Sequence, residues 1–170
     1  RAPGPSNYRK VTMTPHATYP DLRDTPVFVT GGGSGIGAAL TEGFLRQGAR
    51  TTFVGRSDYS GFVDEMERAT GNRPLFLQCD ITDTAALREA VLHAAEEHGP
   101  TRVLVNNAAN DQRHRTLETD EAFWREMLAI NLDAYFFAAQ AVIPGMQAQG
   151  GGSIVNFSSV SYMMGNAEYP

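Results

Sequence analysis

Residues 30–37 read Thr-Gly-Gly-Gly-Ser-Gly-Ile-Gly, directly after the apolar run Val27-Phe28-Val29, and a helical pattern Ile36, Leu40, Phe44 begins at once behind them. A short buried strand that turns on glycines straight into a helix is a unit of α/β folds. The same junction makes an anion site. Residues without Cβ let backbone N–H groups approach a pyrophosphate, and the helix behind them presents its positive end. The implied ligand class is a nucleotide phosphate.

The rest of the chain repeats the alternation. Strands are predicted over Val27–Thr30, Thr51–Val54, Leu75–Gln78, Val103–Val105 and Ser153–Phe157. Helices are predicted from Ser34 to Gln47 with Gly48 as the stop, from Tyr59 to Ala69 with Gly71, and from Thr82 or Asp83 to Gly99-Pro100. The longest runs from about Asp120 to Gln147, with Thr119 as its cap. Short strands alternating with helices imply right-handed crossovers and a parallel sheet. The fold class is therefore α/β, a Rossmann-type doubly wound parallel sheet between two helical layers.

A chain of 170 residues suits one domain. Residues 1–25, rich in Pro, Thr and charge, read as a flexible tail, with 1–12 upstream of a native start at Met13; residues 26–170 form the dinucleotide-binding domain. The formal net charge of −5 argues against a nucleic-acid surface. No run reaches the ~18 apolar residues of a membrane span. The single cysteine, Cys79, excludes an internal disulfide and a cysteine zinc site, and points to a reducing, cytoplasmic setting. His16, His93, His98 and His114 show no metal-ligand spacing, and His93 and His98 read as helix-surface residues.

The long helix is apolar almost all round. Phe123, Met127, Ile130, Ala134, Phe137 and Ala141 follow helical spacing, while Leu128, Leu132, Phe136 and Ile143 add apolar surface on other sides. Such a helix packs against a partner subunit as well as the sheet, giving a homo-oligomer.

In a doubly wound sheet, ligands sit beyond the carboxyl ends of the strands. The second strand exits into Gly55-Arg56-Ser57, where dinucleotide sites place an acid on the ribose hydroxyls. An arginine there favours a 2′-phosphate, hence NADP over NAD; the plainer alternative is a solvated side chain, and Asp58 could still serve a ribose. The third strand exits into Asp80-Ile81 and the fourth into Asn106-Asn107-Ala108-Ala109. Aspartate and asparagine at strand ends also serve as turns and caps. Asp111, Arg113 and His114 follow on the substrate side of the fourth strand.

These pieces together resemble the short-chain dehydrogenase/reductase family. The matching residues are Thr30-Gly31-x-x-x-Gly35-Ile36-Gly37, Asp80, Asn106-Asn107-Ala108, Asn131 within Ile130-Asn131-Leu132, and Ser153 to Ser159. The chain is also similar to the subset acting on free sugars, the aldose 1-dehydrogenases, through Tyr19-Pro20, Asn110-Asp111-x-Arg113-His114 and Pro144-Gly145-Met146.

The resemblance implies roles. Gly31, Ser34, Gly35, Ile36 and Gly37 would hold the pyrophosphate and Arg56 the adenosine phosphate. Asp80 and Ile81 would flank the adenine, with Asn107 and Ala108 supporting the cofactor from the fourth strand. Ser159 matches the serine that hydrogen-bonds the substrate oxygen. Asn131 matches the asparagine that bends the long helix and holds a water of the proton relay; a purely structural hydrogen bond for its amide is an equal alternative. Asn110, Asp111, His114 and Tyr162 would line the substrate pocket.

The implied reaction passes a hydride between nicotinamide and a carbinol carbon, oxidising an aldose at C1 to the lactone. Implied partners are a small polar sugar and further copies of the chain, as a homo-tetramer or homo-dimer through the helix 120–147. Alternatives are a keto-acyl or small-carbonyl reductase and, from another class, a non-catalytic nucleotide-binding or oligomerisation module. The family's base is a tyrosine with a lysine four positions on. Its spacing from Ser159 falls just past Pro170, and neither Tyr162 nor Tyr169 is followed by that lysine. Ala109 stands where the family commonly has glycine.

Overall fold

The computed structural model describes residues 17–165, apart from the Tyr162 side chain. Strands β1 (Pro26–Thr30), β2 (Arg50–Gly55), β3 (Leu75–Gln78), β4 (Val103–Asn106) and β5 (Ser153–Asn156) form one parallel sheet in the order β3-β2-β1-β4-β5. Helices α1 (Gly35–Arg46), α2 (Ser60–Thr70), α3 (Thr84–His98), α4 (Glu121–Leu128), α5 (Ala134–Ala148) and the short α6 (Ser161–Met164) alternate with the strands.

The two-residue repeat of a strand divides the core into two layers. Val27 and Val29 of β1, Phe53 of β2 and Val105 of β4 point to one face, where Leu40 and Phe44 of α1 and Val63 of α2 cover them. Phe28, Val54 and Leu104 point to the other, under Leu87, Val91 and Ala94 of α3 and Ala134, Ala138 and Val142 of α5. Register follows this division: Val29 lies opposite Phe53 and Val105, and Phe28 opposite Leu104. Slipping one residue would turn every one of these side chains to the wrong layer.

The long helix is continuous but not uniform. Between α4 and α5, residues Ala129–Asp133 form a π-helical turn, and Pro144 lies within α5. Its cap is Asp120, whose carboxylate accepts from the Phe123 N–H at 2.8 Å, and not the expected Thr119, whose hydroxyl turns back to the Arg115 carbonyl at 2.9 Å. Contrary to the sequence reading, the helix Glu121–Ala148 is long and apolar enough to cross a membrane by length and composition. Core packing accounts for one side of it, where Ala134, Ala138, Val142 and Met146 are buried. Leu132, Phe136 and Ile143 remain exposed on the other.

Residues 17–25, expected as part of the tail, are held against α1. Gln47 accepts from the Tyr19 N–H at 2.8 Å and donates to the Ala17 carbonyl at 3.0 Å, and a 3-10 turn spans Pro20–Leu22. The expectation for residues 1–16 lies outside the described residues. His98 is not a surface residue either: it sits half-buried with Nδ1 3.1 Å from the Thr52 hydroxyl. Among the described residues β5 pairs with β4 alone, and Ile154, Val155 and Phe157 are exposed beside its other edge.

Candidate active site

Strand order reverses between β1 and β4, since β2 and β3 lie to one side of β1 and β5 lies beyond β4. Side chains cannot close the crevice at such a point, so it is where an open α/β sheet receives a ligand. Here the two strand exits are bolted together. The Thr30 hydroxyl, fully buried, accepts from the N–H groups of Asn107 (3.0 Å) and Ala108 (3.1 Å). The Asn107 amide in turn donates to the carbonyls of Thr30 (3.1 Å) and Gly31 (3.3 Å). Asn107 therefore shapes the cradle from behind as well as lining it.

The glycine turn is as tight as backbone allows. A Cβ on Gly37 would overlap the Gly31 carbonyl and approach the Asn107 amide nitrogen to 2.7 Å. Gly31 itself adopts φ +67°, with Ala108 directly against the place of its missing side chain. Ser34 opens α1 in an extended conformation without capping it through its side chain. Ile36, on the first turn, is 65% exposed, which a large aliphatic residue at a core-facing helix start does not ordinarily show.

A cleft of about 570 Å³ lies over this junction, lined by Gly31, Ser34, Gly35, Ile36, Gly37, Arg56, Asp80, Ile81, Asn107 and Ala108, with Asp111 and Tyr59. Every residue expected to bind the dinucleotide thus faces one space. A backbone turn that no Cβ can enter, at the start of a helix, fits a pyrophosphate.

Local bonding explains how the remaining groups are held. The Thr82 backbone N–H, aided by the Thr82 hydroxyl and the Arg56 charge, holds the Asp80 carboxyl below the usual carboxylate range against the opposing effect of burial. Gln78 donates to the Arg56 carbonyl at 2.8 Å and pins the exit of β2. Asp58 is engaged elsewhere: its carboxylate accepts from the Ser60 N–H at 2.8 Å at the start of α2, and it does not line the cleft. Burial, then the charges of Asp80 and Asp83, push the Cys79 thiol up to about 11, so this cysteine is a wall and no nucleophile.

A second hollow, about 470 Å³, adjoins the first and shares Ile36, Asn107, Ala109 and Asp111 with it. It is completed by Asn110, Asn131, Tyr135, Phe157, Ser158 and Ser159. The Ser159 hydroxyl accepts from the Ser161 N–H at 3.1 Å and lies 2.7 Å from the Ser161 hydroxyl. Asn131 sits in the π-helical turn and uses its whole amide on Asn110: Oδ1 accepts from the N–H and Nδ2 donates to the carbonyl, each at 2.9 Å. Its side chain thereby clamps the loop that leaves β4.

One expectation is not met by this arrangement. His114 lies outside both spaces; its ring packs 4.7 Å from that of Phe123 and its Nδ1 is 3.1 Å from the Gln112 carbonyl. It borders a separate hollow with Thr116 and Trp124. The expected wall position of the Tyr162 side chain lies outside the described residues. Sequence reasoning missed Tyr59 and Tyr135 as lining residues. Helical spacing gave each a place in an element but no direction. Tyr135 is unsuited to accepting a proton, since burial pushes its phenol up.

The comparisons with known proteins agree with this geometry. A model of the short chain dehydrogenase family matches residues 25–170. A probable galactose dehydrogenase of Rhizobium meliloti (strain 1021) is 49% identical over 158 residues, 92% of this chain and 62% of that protein. A D-xylose 1-dehydrogenase of Caulobacter vibrioides (strain NA1000 / CB15N) is 43% identical over 150 residues, 88% of this chain and 59% of that protein. Among solved structures, a putative short-chain alcohol dehydrogenase from Sinorhizobium meliloti 1021 superposes with a TM-score of 0.80 at 30% identity, over 86% of this chain and 58% of that one. An NADH-dependent reductase solved with NAD shares the fold, with a TM-score of 0.78 at 24% identity over 86% of this chain and 64% of that one. The chain thus spans about three fifths of the length of the relatives it matches. A parallel sheet with its glycine cradle at the switch point, and relatives of this identity across nearly the whole chain, place the protein in the short-chain dehydrogenase family.

Proposed function

We propose that the protein is an NADP-preferring oxidoreductase that oxidises a free aldose at C1 to the lactone. The observation that carries this reading is the meeting of two spaces at Ile36, Asn107, Ala109 and Asp111: one shaped for a dinucleotide, the other bearing Asn110, Asp111 and Ser159 and, among the described residues, lined without a lysine, arginine or histidine. A bound nicotinamide would supply hydride acceptance at that meeting point. Gly31, Gly35, Ile36 and Gly37 hold the pyrophosphate, Asp80 and Ile81 flank the adenine, and Arg56 takes the 2′-phosphate. The galactose and xylose dehydrogenases named above support the choice of a sugar.

In the second hollow, Ser159 orients the C1 oxygen, its hydroxyl already positioned by Ser161. Asp111 and Asn110 recognise ring hydroxyls. The Asp111 carboxylate in this hollow favours a neutral polyol over an anionic acyl substrate. The proton acceptor belongs to the part of the relatives' length that this chain does not span. The exposed apolar residues Leu132, Phe136 and Ile143 face a second copy of the protein, and the compartment is a reducing one.

The test is a full-length protein assayed with D-galactose and D-xylose against NADP and NAD. NADPH absorbance with either sugar is the expected result. Activity with keto substrates and none with any aldose would overturn the sugar assignment.

A further inference from the structure

We propose that Tyr59 is a positioning residue for the adenosine end of the cofactor, its ring setting the separation between the glycine turn and Arg56 and thereby carrying selectivity for a 2′-phosphorylated nucleotide; the proposal rests on the NADP reading above.

The observation is a three-body contact. A Cβ on Gly33 would collide with the Cδ1, Cγ and Cε1 atoms of Tyr59, and a Cβ on Gly55 would come within 2.7 Å of its Cε2. One edge of the ring therefore fills the space beside the glycine turn, and the opposite edge fills the space at the exit of β2. Gly55 directly precedes Arg56. The ring is supported from the core: it stands edge-on to Phe53 at 6.0 Å and to Phe76 at 5.6 Å, and these two stack at 5.0 Å. It is half-buried and lines the cleft with Arg56 and Ser57.

A rigid ring wedged between two backbone segments acts as a spacer. A nucleotide carrying both a 5′- and a 2′-phosphate must reach both anchors at once, so its affinity depends on their separation. A nucleotide with the 5′-phosphate alone uses the glycine turn and tolerates a shifted Arg56. Misplacing one anchor by about 1 Å is enough to cost on the order of tenfold or more. The Asp58–Ser60 turn start and the Gln78 bond to the Arg56 carbonyl fix the flanks, which leaves the ring as the adjustable element.

The experiment measures binding of adenosine 2′,5′-bisphosphate and 5′-AMP by calorimetry to full-length wild type, Tyr59→Ala and Tyr59→Phe. Tyr59→Ala is expected to weaken the bisphosphate about tenfold or more and 5′-AMP about threefold or less. Tyr59→Phe, which keeps the ring, is expected to match wild type. Equal weakening of both nucleotides, no weakening, or a Phe variant as poor as Ala each overturns the proposal. Gly55→Ala asks the same question by pushing on the ring edge, and serves where Tyr59→Ala does not fold. Wild type binding 5′-AMP as tightly as the bisphosphate would instead overturn the NADP reading, which the wild-type measurement alone decides.

Discussion

The Asn131 amide binds the Asn110 backbone through both of its ends, as acceptor and as donor, across 21 positions of sequence. One side chain thereby ties the π-helical turn of the long helix to the loop that leaves β4. Asp111, the next residue, lines both spaces.

Asn131→Asp keeps the acceptor and replaces the donor with a carboxylate facing the Asn110 carbonyl. The expected loss is about 1–2 kcal/mol of unfolding free energy by denaturant titration. Amide exchange at Asn110 should quicken at the same time, and unchanged exchange there would show that the clamp does not hold the loop.

Gly37→Ala drives a methyl into the Gly31 carbonyl. The expected cost is about 3 kcal/mol, with cofactor binding lost in parallel. Gly43, an exposed glycine inside α1 with open space at its missing Cβ, makes the opposite case. Gly43→Ala should add about 0.5–1 kcal/mol. Thermal melts of the two variants check both signs.

Arg56→Asp reverses the charge at the exit of β2. If Arg56 binds a 2′-phosphate through charge-assisted hydrogen bonds of about 1.5–3 kcal/mol, the NADP-to-NAD ratio of kcat/KM falls by at least about tenfold. An unchanged ratio would remove Arg56 from the cofactor site.

His98 titrates below its ordinary value of 6.5, chiefly because it is buried and secondarily because Arg50 is near. A group whose folded value is depressed contributes stability that is complete above the unfolded value and is lost as pH falls through the folded one. The melting temperature should therefore drop as pH is lowered from 7 toward 5. His98→Gln should flatten that slope, which differential scanning calorimetry across the range would read.

Phe136→Asp places a charge in the middle of the exposed apolar face formed with Leu132 and Ile143. Sedimentation of the full-length protein should show smaller assemblies than wild type at equal concentration. Assemblies of unchanged size would move the interface elsewhere.

Most of the sheet was legible because its signals are local. β3 was read with its observed bounds, Leu75–Gln78, since Gly71 and Pro74 punctuate one side and Asp80 the other. The glycine turn, Arg56, Asp80 and Asn107 came together as expected, because parallel strands with helical crossovers bring their exits to one edge. What escaped depends on partners distant in sequence. A bend at Asn131 was implied by the family resemblance, but its form, a π-helical turn where Asn131 meets Asn110, was not, because nothing local in the run Ile130-Asn131-Leu132 marks a wider turn. His114 was misplaced because residue type shows capacity for a role, while side-chain direction depends on Phe123. Residues 17–25 carry loop composition yet are ordered by Gln47, the residue that ends α1.

The bare side of β5 makes this stretch of chain an adhesive. Its outer N–H and C=O groups meet no strand among the described residues, and Ile154 and Val155 flank them in the open. An unpaired, unguarded edge is a template for any extended segment that arrives. Where no strand pairs with that edge, β5 would join to copies of itself, and solubility would then be governed by the four residues that lead into Phe157 and Ser159 of the second hollow rather than by the fold's own stability.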